Sequence, residues 1–416
     1  MEKNKQFGKN LIWNTIGTTL NAFNSLLFAI IVTRINGIND AGIFTYSFAT
    51  ACILFVIGIY FGRTFQVTDI TNKYSDTDYI FNRIITCILM IVAAVSFCLI
   101  KKYDLYKSSI LVLLSTFKSI EAFSEALYGI MQRKDRLDKV GKSFTIKSIV
   151  SLLSFLAVDL ITHNLVVSCI SLCIVNIIVV LIYDFTNIKK LEIVKSKFTI
   201  KNNTILLKIG FFTFILTFLS QYIINSSRYA IDDILPNDLQ TVYGIIIMPA
   251  TFMGLLGQFI IQPILIKLSN CIKEKNKKEL IKLILEVLSI ICALGIIALI
   301  FAYALGIPML EIVYGIELSD YLLPLIIIMV GATMYSIELF ASTVLIALRK
   351  TFGQALLYFI ISIVSTVIAY ILVNKYSILG ASISYLITML LIAVVLVLYM
   401  LIAIHYNFKE NKKVNN

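Results

Sequence analysis

The sequence predicts an all-α membrane protein of about twelve transmembrane helices, arranged as two parallel-repeat six-helix bundles around a central cavity. Hydrophobic residues make up 59% of the 416 residues and charged residues only 14%, whereas soluble domains contain about 25% charged residues. Apolar runs recur along the whole chain, and each is long enough to supply the roughly 20 residues of a membrane span. The runs leave almost nothing to fold outside the bilayer, which argues against a set of soluble domains.

The spans are predicted as helices, because an open sheet edge cannot satisfy its backbone in lipid and the alternation of a membrane barrel is missing. The first run follows three lysines and is too long for the core of a signal peptide, so we assign it as the first span. The predicted spans are 11–33, 41–62, 81–100, 108–131, 143–162, 165–186, 209–227, 241–265, 281–303, 322–347, 354–373 and 379–404.

The distribution of Lys and Arg predicts the orientation of these spans. One alternate set of loops, together with both termini, holds 28 basic residues, and the opposite set holds 6. Basic loops mark the cytoplasmic side, so both termini are expected to be cytoplasmic. This topology accounts for the net charge of +12 without a nucleic-acid partner. The seven cysteines are scattered without a CxxC pair, and we interpret them as packing residues.

The longest cytoplasmic loop divides the chain into two sets of six helices. We therefore predict an N-terminal bundle at 1–186, a linker at 187–208, a C-terminal bundle at 209–404 and a cytoplasmic tail at 405–416. An internal repeat supports the division, since Ser119-Ile120-Glu121-Ala122-Phe123 in the fourth span matches Ser336-Ile337-Glu338-Leu339-Phe340 in the tenth. Six helices separate the two segments, so the halves have the same orientation.

Two prolines interrupt the eighth span. Pro249 and Pro263 each remove a backbone hydrogen bond and can kink the helix. A gating kink and a static kink that fits its neighbours explain this pattern equally well.

Charged residues at bilayer depth are the strongest functional signal, because they are costly in lipid and usually face a cavity. Lys118, Glu121 and Glu125 lie at i, i+3 and i+7, on one face of the fourth span. They form either a polar stripe facing the cavity or a pair, Lys118 with Glu121, that joins helices. Glu338 corresponds to Glu121 in the repeat, and together the two carboxylates either couple transport to H⁺ or Na⁺ or make structural hydrogen bonds.

Three arginines at span ends are candidates for contacting a diphosphate, because a guanidinium fork matches phosphate oxygens. Arg34 ends the first span, Arg63 follows the second and Arg228 ends the seventh; Lys118 is a fourth candidate. Snorkelling to the interface explains the arginines equally well. Asp232 and Asp233 either line the cavity or pair with Arg228.

Catalytic constellations, metal-ligand clusters and phosphate loops are missing from the sequence, so we expect no enzyme activity, no metal and no cofactor apart from a coupling ion.

Several segments, in their order along the chain, resemble motifs of Wzx-type polysaccharide flippases of Gram-positive bacteria. The segments are Thr33 to Gly37 with Ala41 to Phe44, Gly58 to Arg63, Ala126 to Ser143, Arg228 to Asp232, Tyr243-Gly244, Met248-Pro249 and Gln262-Pro263. The seventh span departs from the family pattern, with Phe211-Phe212 where a proline is common.

The resemblance implies membership of the multidrug, oligosaccharidyl-lipid and polysaccharide exporter superfamily. It implies an alternating-access flippase in the bacterial cytoplasmic membrane that moves undecaprenyl-diphosphate-linked oligosaccharide units outwards for surface polysaccharide synthesis. Expected partners are this lipid-linked glycan and membrane lipids, with a polymerase of the same pathway as a further candidate.

Three alternatives remain. A cation-coupled drug exporter of the superfamily is expected to keep a carboxylate in the first span, where 11–33 contains no acid. A lipid II exporter is another relative. A membrane polysaccharide polymerase needs a sizeable outer loop, and the largest one predicted here, 304–321, contains no basic residue.

Overall fold

The computed structural model describes residues 2–60, 62–68, 74–197 and 199–409, and within these ranges the chain is helical with no strand. The predicted all-α class is confirmed. Residues 410–416 of the predicted tail, and Phe61 of the Gly58 to Arg63 motif, lie outside the described residues.

Fifteen α-helices follow one another along the described chain. The first eight are α1 Glu2–Ile35, α2 Ile38–Ile59, α3 Gly62–Thr68, α4 Asp76–Lys101, α5 Leu105–Arg133, α6 Leu137–Thr162, α7 Leu165–Val179 and α8 Phe185–Lys189. The others are α9 Ile200–Ile234, α10 Asn237–Ile246, α11 Met248–Lys273, α12 Lys277–Phe301, α13 Ile307–Tyr314, α14 Leu322–Ala347 and α15 Thr351–Lys409. Single π-helical segments, Val180–Asp184 and Ala302–Gly306, join α7 to α8 and α12 to α13.

Ten helical segments of the described chain are long and apolar enough to cross a membrane. Helix α5 has 29 residues but is not among them, since its charged residues interrupt its apolar character. Helix α15, at 59 residues, is about 88 Å long if straight, roughly twice the thickness of a bilayer. Its backbone breaks at Ser377 (φ 51°), and Gly353 approaches Tyr399, so it folds back as two spans. With α15 counted as two spans and α5 included by its length of 29 residues, the described chain accounts for the twelve predicted spans.

The chain divides into two compact units, the first ending at Phe218 and the second beginning at Leu219, inside α9. In the first unit, α2, α4 and α5 pack against one another, α1 packs along α6, and α7 packs on α5 and α6. In the second unit, α11, α12 and α14 form the corresponding group of three, and α15 packs along α14. Each unit thus contains a group of three packed helices, in which α5 and α14 hold equivalent places.

Helices α1 and α6 approach each other unusually closely. A Cβ atom on Gly17 would overlap the carbonyl of Gly141, and one on Gly141 would overlap the carbonyl of Trp13. At one end of this crossing, the Asn10 side chain accepts a hydrogen bond from the backbone N–H of Asp138 at 2.8 Å. Small residues therefore let two backbones pack directly, as is common between membrane helices.

The chain after α8 docks on the first turn of α4. The backbone N–H of Asp76 donates to the carbonyl of Val194 at 3.0 Å, and that of Val194 donates back to the Asp76 carboxylate at 2.9 Å. Arg133, at the end of α5, forms an ion pair with the same carboxylate at 3.1 Å. Ser75 completes a capping box and contacts Ser196 at 2.6 Å. These contacts fix the start of the predicted linker to the first unit.

Several predicted boundaries differ from the structure, and two of the differences concern the longest predicted loops. Helix α13 continues to Tyr314, so most of the predicted outer loop 304–321 is helical. Helix α9 begins at Ile200 and therefore includes the end of the segment 187–208.

Candidate functional site

The polar face of α5 lies near the middle of a helix that is about 43 Å long. Lys118 Nζ contacts Glu121 Oε2 at 2.7 Å, and both side chains are less than one-fifth exposed. The ammonium group also lies over the ring of Phe48 on α2, 4.9 Å from its centroid. The ion pair lies within one helix, and Lys118 contacts the neighbouring helix α2 through the ring of Phe48.

Arg63 joins this face from α3. The chain leaves α2 through Tyr60 and Gly62, which have φ of 51° and 71°, and α3 then packs on α5. Gln66 anchors α3 by donating to the carbonyl of Ala126 at 3.1 Å. This places Arg63 Nε 3.6 Å from Glu125 Oε2. Lys118, Glu121 and Glu125 thus come from one helix. The sharp turn after α2 brings Arg63 to them.

A third cation, Arg83 of α4, lies behind this group. Its side chain is buried, and its Nη1 donates to the carbonyl of Gly58 at 2.6 Å. The same carbonyl accepts a hydrogen bond from Thr86 at 2.7 Å. Arg83 lies within electrostatic range of Glu125. The sequence analysis counted Arg83 among the basic residues of a cytoplasmic loop and therefore did not predict it as part of this group.

A second buried charge cluster was also missed. Lys147 of α6 contacts the Asp184 carboxylate at 2.6 Å, Ser124 Oγ at 2.6 Å and the Tyr128 hydroxyl at 2.9 Å. Ser143 donates to the other oxygen of Asp184 at 2.6 Å. The spacing of Ser143 and Lys147, four residues apart on one helical face, is the available signal. Their acidic partner Asp184, 37 residues after Lys147, cannot be identified from spacing.

Arg34 lies at the other end of the first unit, exposed in the last turn of α1. The side-chain amide of nearby Asn36 donates to the buried carboxylate of Asp159 on α6 at 3.2 Å. Arg34 is therefore separated along the helices from the group formed by Arg63, Lys118 and the acids of α5.

The remaining candidates belong to the second unit. The Arg228 guanidinium lies over the ring of Tyr243, 5.9 Å from its centroid. Asp233 accepts a hydrogen bond from the Tyr370 hydroxyl, while Asp232 is partly buried one residue earlier. Arg228 therefore borders an aromatic ring of α10.

Glu338 has surroundings unlike those of its repeat partner. It is only 1% exposed, accepts a hydrogen bond from the Tyr358 hydroxyl, and leaves its second oxygen without a hydrogen bond. The residue three positions earlier is Tyr335, whereas Glu121 has Lys118 there. The two glutamates thus share a sequence motif and an equivalent helix but differ in their partners.

The eighth span is broken near its first proline. Helix α10 ends at Ile246 and α11 begins at Met248, with Pro249 in its first turn. A proline at that position costs no intrahelical hydrogen bond. Helix α11 continues through residue 263, and the Pro263 side chain lies outside the described residues.

Known proteins resemble this chain in fold and in sequence. No protein-family model matches the chain. An inward-facing multidrug resistance MATE family transporter of the MOP superfamily superposes with a TM-score of 0.72 at 13% identity, covering 95% of this chain and 99% of its own. The chain has the MATE transporter fold. A MOP superfamily transporter from Pyrococcus furiosus shares this fold with a TM-score of 0.62 at 14% identity, covering 97% and 96% of the two chains.

The similarity in sequence is to the capsular polysaccharide biosynthesis protein CapF of Staphylococcus aureus. The two chains are 26% identical over 381 residues, which cover 90% of this chain and 94% of CapF. The similarity thus extends through nearly the whole of this MATE-fold chain.

Proposed function

We propose that the chain is a flippase that moves undecaprenyl-diphosphate-linked oligosaccharide units from the inner to the outer leaflet of a bacterial cytoplasmic membrane. The transport serves surface polysaccharide synthesis and proceeds by alternating access. The observation that carries the proposal is the nearly end-to-end similarity to a capsular polysaccharide biosynthesis protein, in a chain with an exporter fold.

The charged face of the first unit supports this substrate class. A diphosphate head group needs cationic partners to cross the hydrocarbon layer. Lys118 and Arg63 place two cations on one side of α5. Each forms an ion pair with an acidic neighbour, which offsets the cost of burying its charge in the membrane. Arg34 and Arg228 are further candidate contacts at span ends.

Flipping of a fluorescent lipid-linked oligosaccharide in proteoliposomes tests the activity. The purified protein should expose the labelled glycan on the outside, while empty liposomes should not. In cells, loss of the protein should reduce surface glycan and increase lipid-linked repeat units inside. Flipping no faster than in empty liposomes would contradict the proposal.

Arg34→Ala and Arg228→Ala test the two terminal arginines. Each variant should lower surface glycan at an unchanged protein level, because the guanidinium fork is removed from the substrate path. Full glycan export in both variants would remove these residues from the mechanism.

A cation-coupled drug exporter is the second candidate, favoured by the likeness to multidrug MATE transporters. It should lower drug susceptibility in cells without changing surface glycan. In either case, Glu121→Gln combined with Glu338→Gln should alter the dependence of transport on a proton or sodium gradient. Unchanged gradient dependence would exclude these two glutamates as the coupling site.

A further inference from the structure

The ion pair between Arg63 and Glu125 is looser than the other ion pairs of the α5 region, which include Arg133–Asp76 at 3.1 Å. The N–O distance between Arg63 and Glu125 is 3.6 Å, beyond the 2.7–3.2 Å range of a normal N–H···O hydrogen bond. The Lys118–Glu121 and Lys147–Asp184 pairs close to 2.7 and 2.6 Å. In addition, Nη1 of Arg63 is buried and has no hydrogen-bond partner. The guanidinium group therefore keeps donors that Glu125 does not use.

This pair can be reached by a ligand. The side chains of Arg63 and Glu125 are 24% and 20% exposed, whereas Lys147 and Asp184 are almost completely enclosed. Glu125 lies eight residues before Arg133, the last residue of α5, which corresponds to about 12 Å along the helix. Helix α5 exceeds the roughly 30 Å hydrocarbon layer by several ångströms at each end. Glu125 therefore lies just inside the predicted cytoplasmic boundary, where an inner-leaflet head group enters.

Arg83 adds a fixed positive charge beneath the pair. It is held by the carbonyl of Gly58 and lies within electrostatic range of Glu125. Glu125 therefore interacts with both Arg63 and Arg83, in surroundings of low dielectric where charges interact more strongly than in water.

We propose that Glu125 is an internal counter-ion that a diphosphate group displaces from Arg63 when it binds. The departing carboxylate uncovers the Nη1 and Nε donors of Arg63, which then bind the phosphate oxygens. The returning Glu125 carboxylate competes with the diphosphate and so promotes its release. This inference rests on the proposed function for the lipid identity of the ligand, while the exchange itself concerns the diphosphate alone.

Binding measurements on the purified full-length protein test the exchange. The probes are inorganic pyrophosphate and a short polyprenyl diphosphate, which separate a free anion from a lipid head group. Glu125→Gln and Glu125→Ala should bind the polyprenyl diphosphate about tenfold more tightly than the unmodified protein, because the competing carboxylate is gone. Arg63→Gln should bind it at least tenfold more weakly. Glu286→Gln, whose partner Lys282 belongs to an exposed ion pair of the second unit, is the control and should change affinity less than about twofold.

If Glu125 has a structural role instead, its replacement should weaken the binding of the polyprenyl diphosphate rather than tighten it. If both Glu125 variants remain monodisperse and bind the polyprenyl diphosphate with unchanged or weaker affinity, the exchange is overturned. Tighter binding to pyrophosphate but not to the polyprenyl diphosphate would assign the site to a free anion and overturn the lipid head group as its ligand. If the unmodified protein binds neither probe, the inference fails entirely.

The same variants separate this inference from the proposed function. Unchanged affinity in the Glu125 variants, with normal flipping by the unmodified protein, overturns the exchange alone. Tighter binding in those variants, without flipping of a lipid-linked oligosaccharide by the unmodified protein, overturns the flippase function alone. If both proposals hold, Glu125→Gln should bind more tightly and flip more slowly, since release becomes limiting.

Discussion

The buried Lys147–Asp184 pair of the first unit is stabilised by a complete set of hydrogen bonds. Lys147 has one acidic and two hydroxyl partners, and the second oxygen of Asp184 accepts from Ser143. Desolvation of an ion pair is offset only when such partners are present. The cluster therefore joins α5, α6 and the π-helical segment of the sixth span, and we assign it a structural role.

Removing Lys147 should destabilise the protein strongly. Lys147→Met leaves the Asp184 charge buried and unpaired, which typically costs about 3–5 kcal/mol. Thermal unfolding in detergent should show a clear decrease in melting temperature. Lys282→Met is the control, because Lys282 and Glu286 form an ion pair exposed to solvent, and such pairs contribute roughly 0–1 kcal/mol. Equal melting temperatures for the two variants would contradict the structural role.

At the scale of elements, two contacts hold the first unit together at α1 and at α4. The crossing of α1 and α6 depends on glycines that bring carbonyl groups against the facing backbone. The start of the linker depends on the Asp76 carboxylate, which accepts a hydrogen bond from Val194 and forms an ion pair with Arg133. Each contact is local enough for one substitution to test it.

Gly141→Ala should weaken the packing of α1 on α6. The added Cβ would overlap the carbonyl of Trp13, and overpacking of this kind costs roughly 1–3 kcal/mol. Gly8→Ala is the matched control, because no atom lies within 4 Å of its added Cβ. Thermal unfolding should therefore show a loss of stability for Gly141→Ala alone, against the usual preference of helices for alanine. A more stable Gly141→Ala protein would show that the crossing is looser than described.

Asp76→Ala should release the start of the linker from α4. The variant loses both the hydrogen bond to Val194 and the ion pair with Arg133, so backbone amides at 191–197 should exchange faster with deuterium. Asp104→Ala is the control, because Asp104 caps α5 and makes no linker contact in its cap. Unchanged deuterium exchange at 191–197 would mean that the contact between Ser75 and Ser196 is enough to hold the linker on α4.

At the scale of the whole molecule, an even number of spans places both termini on one side of the membrane. The loop charges assign that side to the cytoplasm. Lys375→Cys, between the last two spans, should react in intact cells with a membrane-impermeant thiol reagent, whereas Lys190→Cys should react only after lysis. The unmodified protein controls for its own seven cysteines. The reverse labelling pattern would overturn the predicted orientation.

The spans were predictable because a membrane span needs about 20 mostly apolar residues in a row, and such a run is visible in the sequence of one segment. The structure differs where apolar sequence continues beyond a span, as in α13. The backbone break at Ser377 lies in the predicted gap between the spans 354–373 and 379–404.

The sequence by itself determined the class of the protein, its twelve spans and the charged face of α5, because these depend on composition and on helical periodicity within one segment. Only the tertiary structure decided the partners of those charges. Arg63 reaches Glu125 through a turn at Tyr60 and Gly62, Arg83 is directed inward, and Lys147 meets Asp184 on another helix. Such contacts depend on how separate helices pack, which spacing along one helix does not contain.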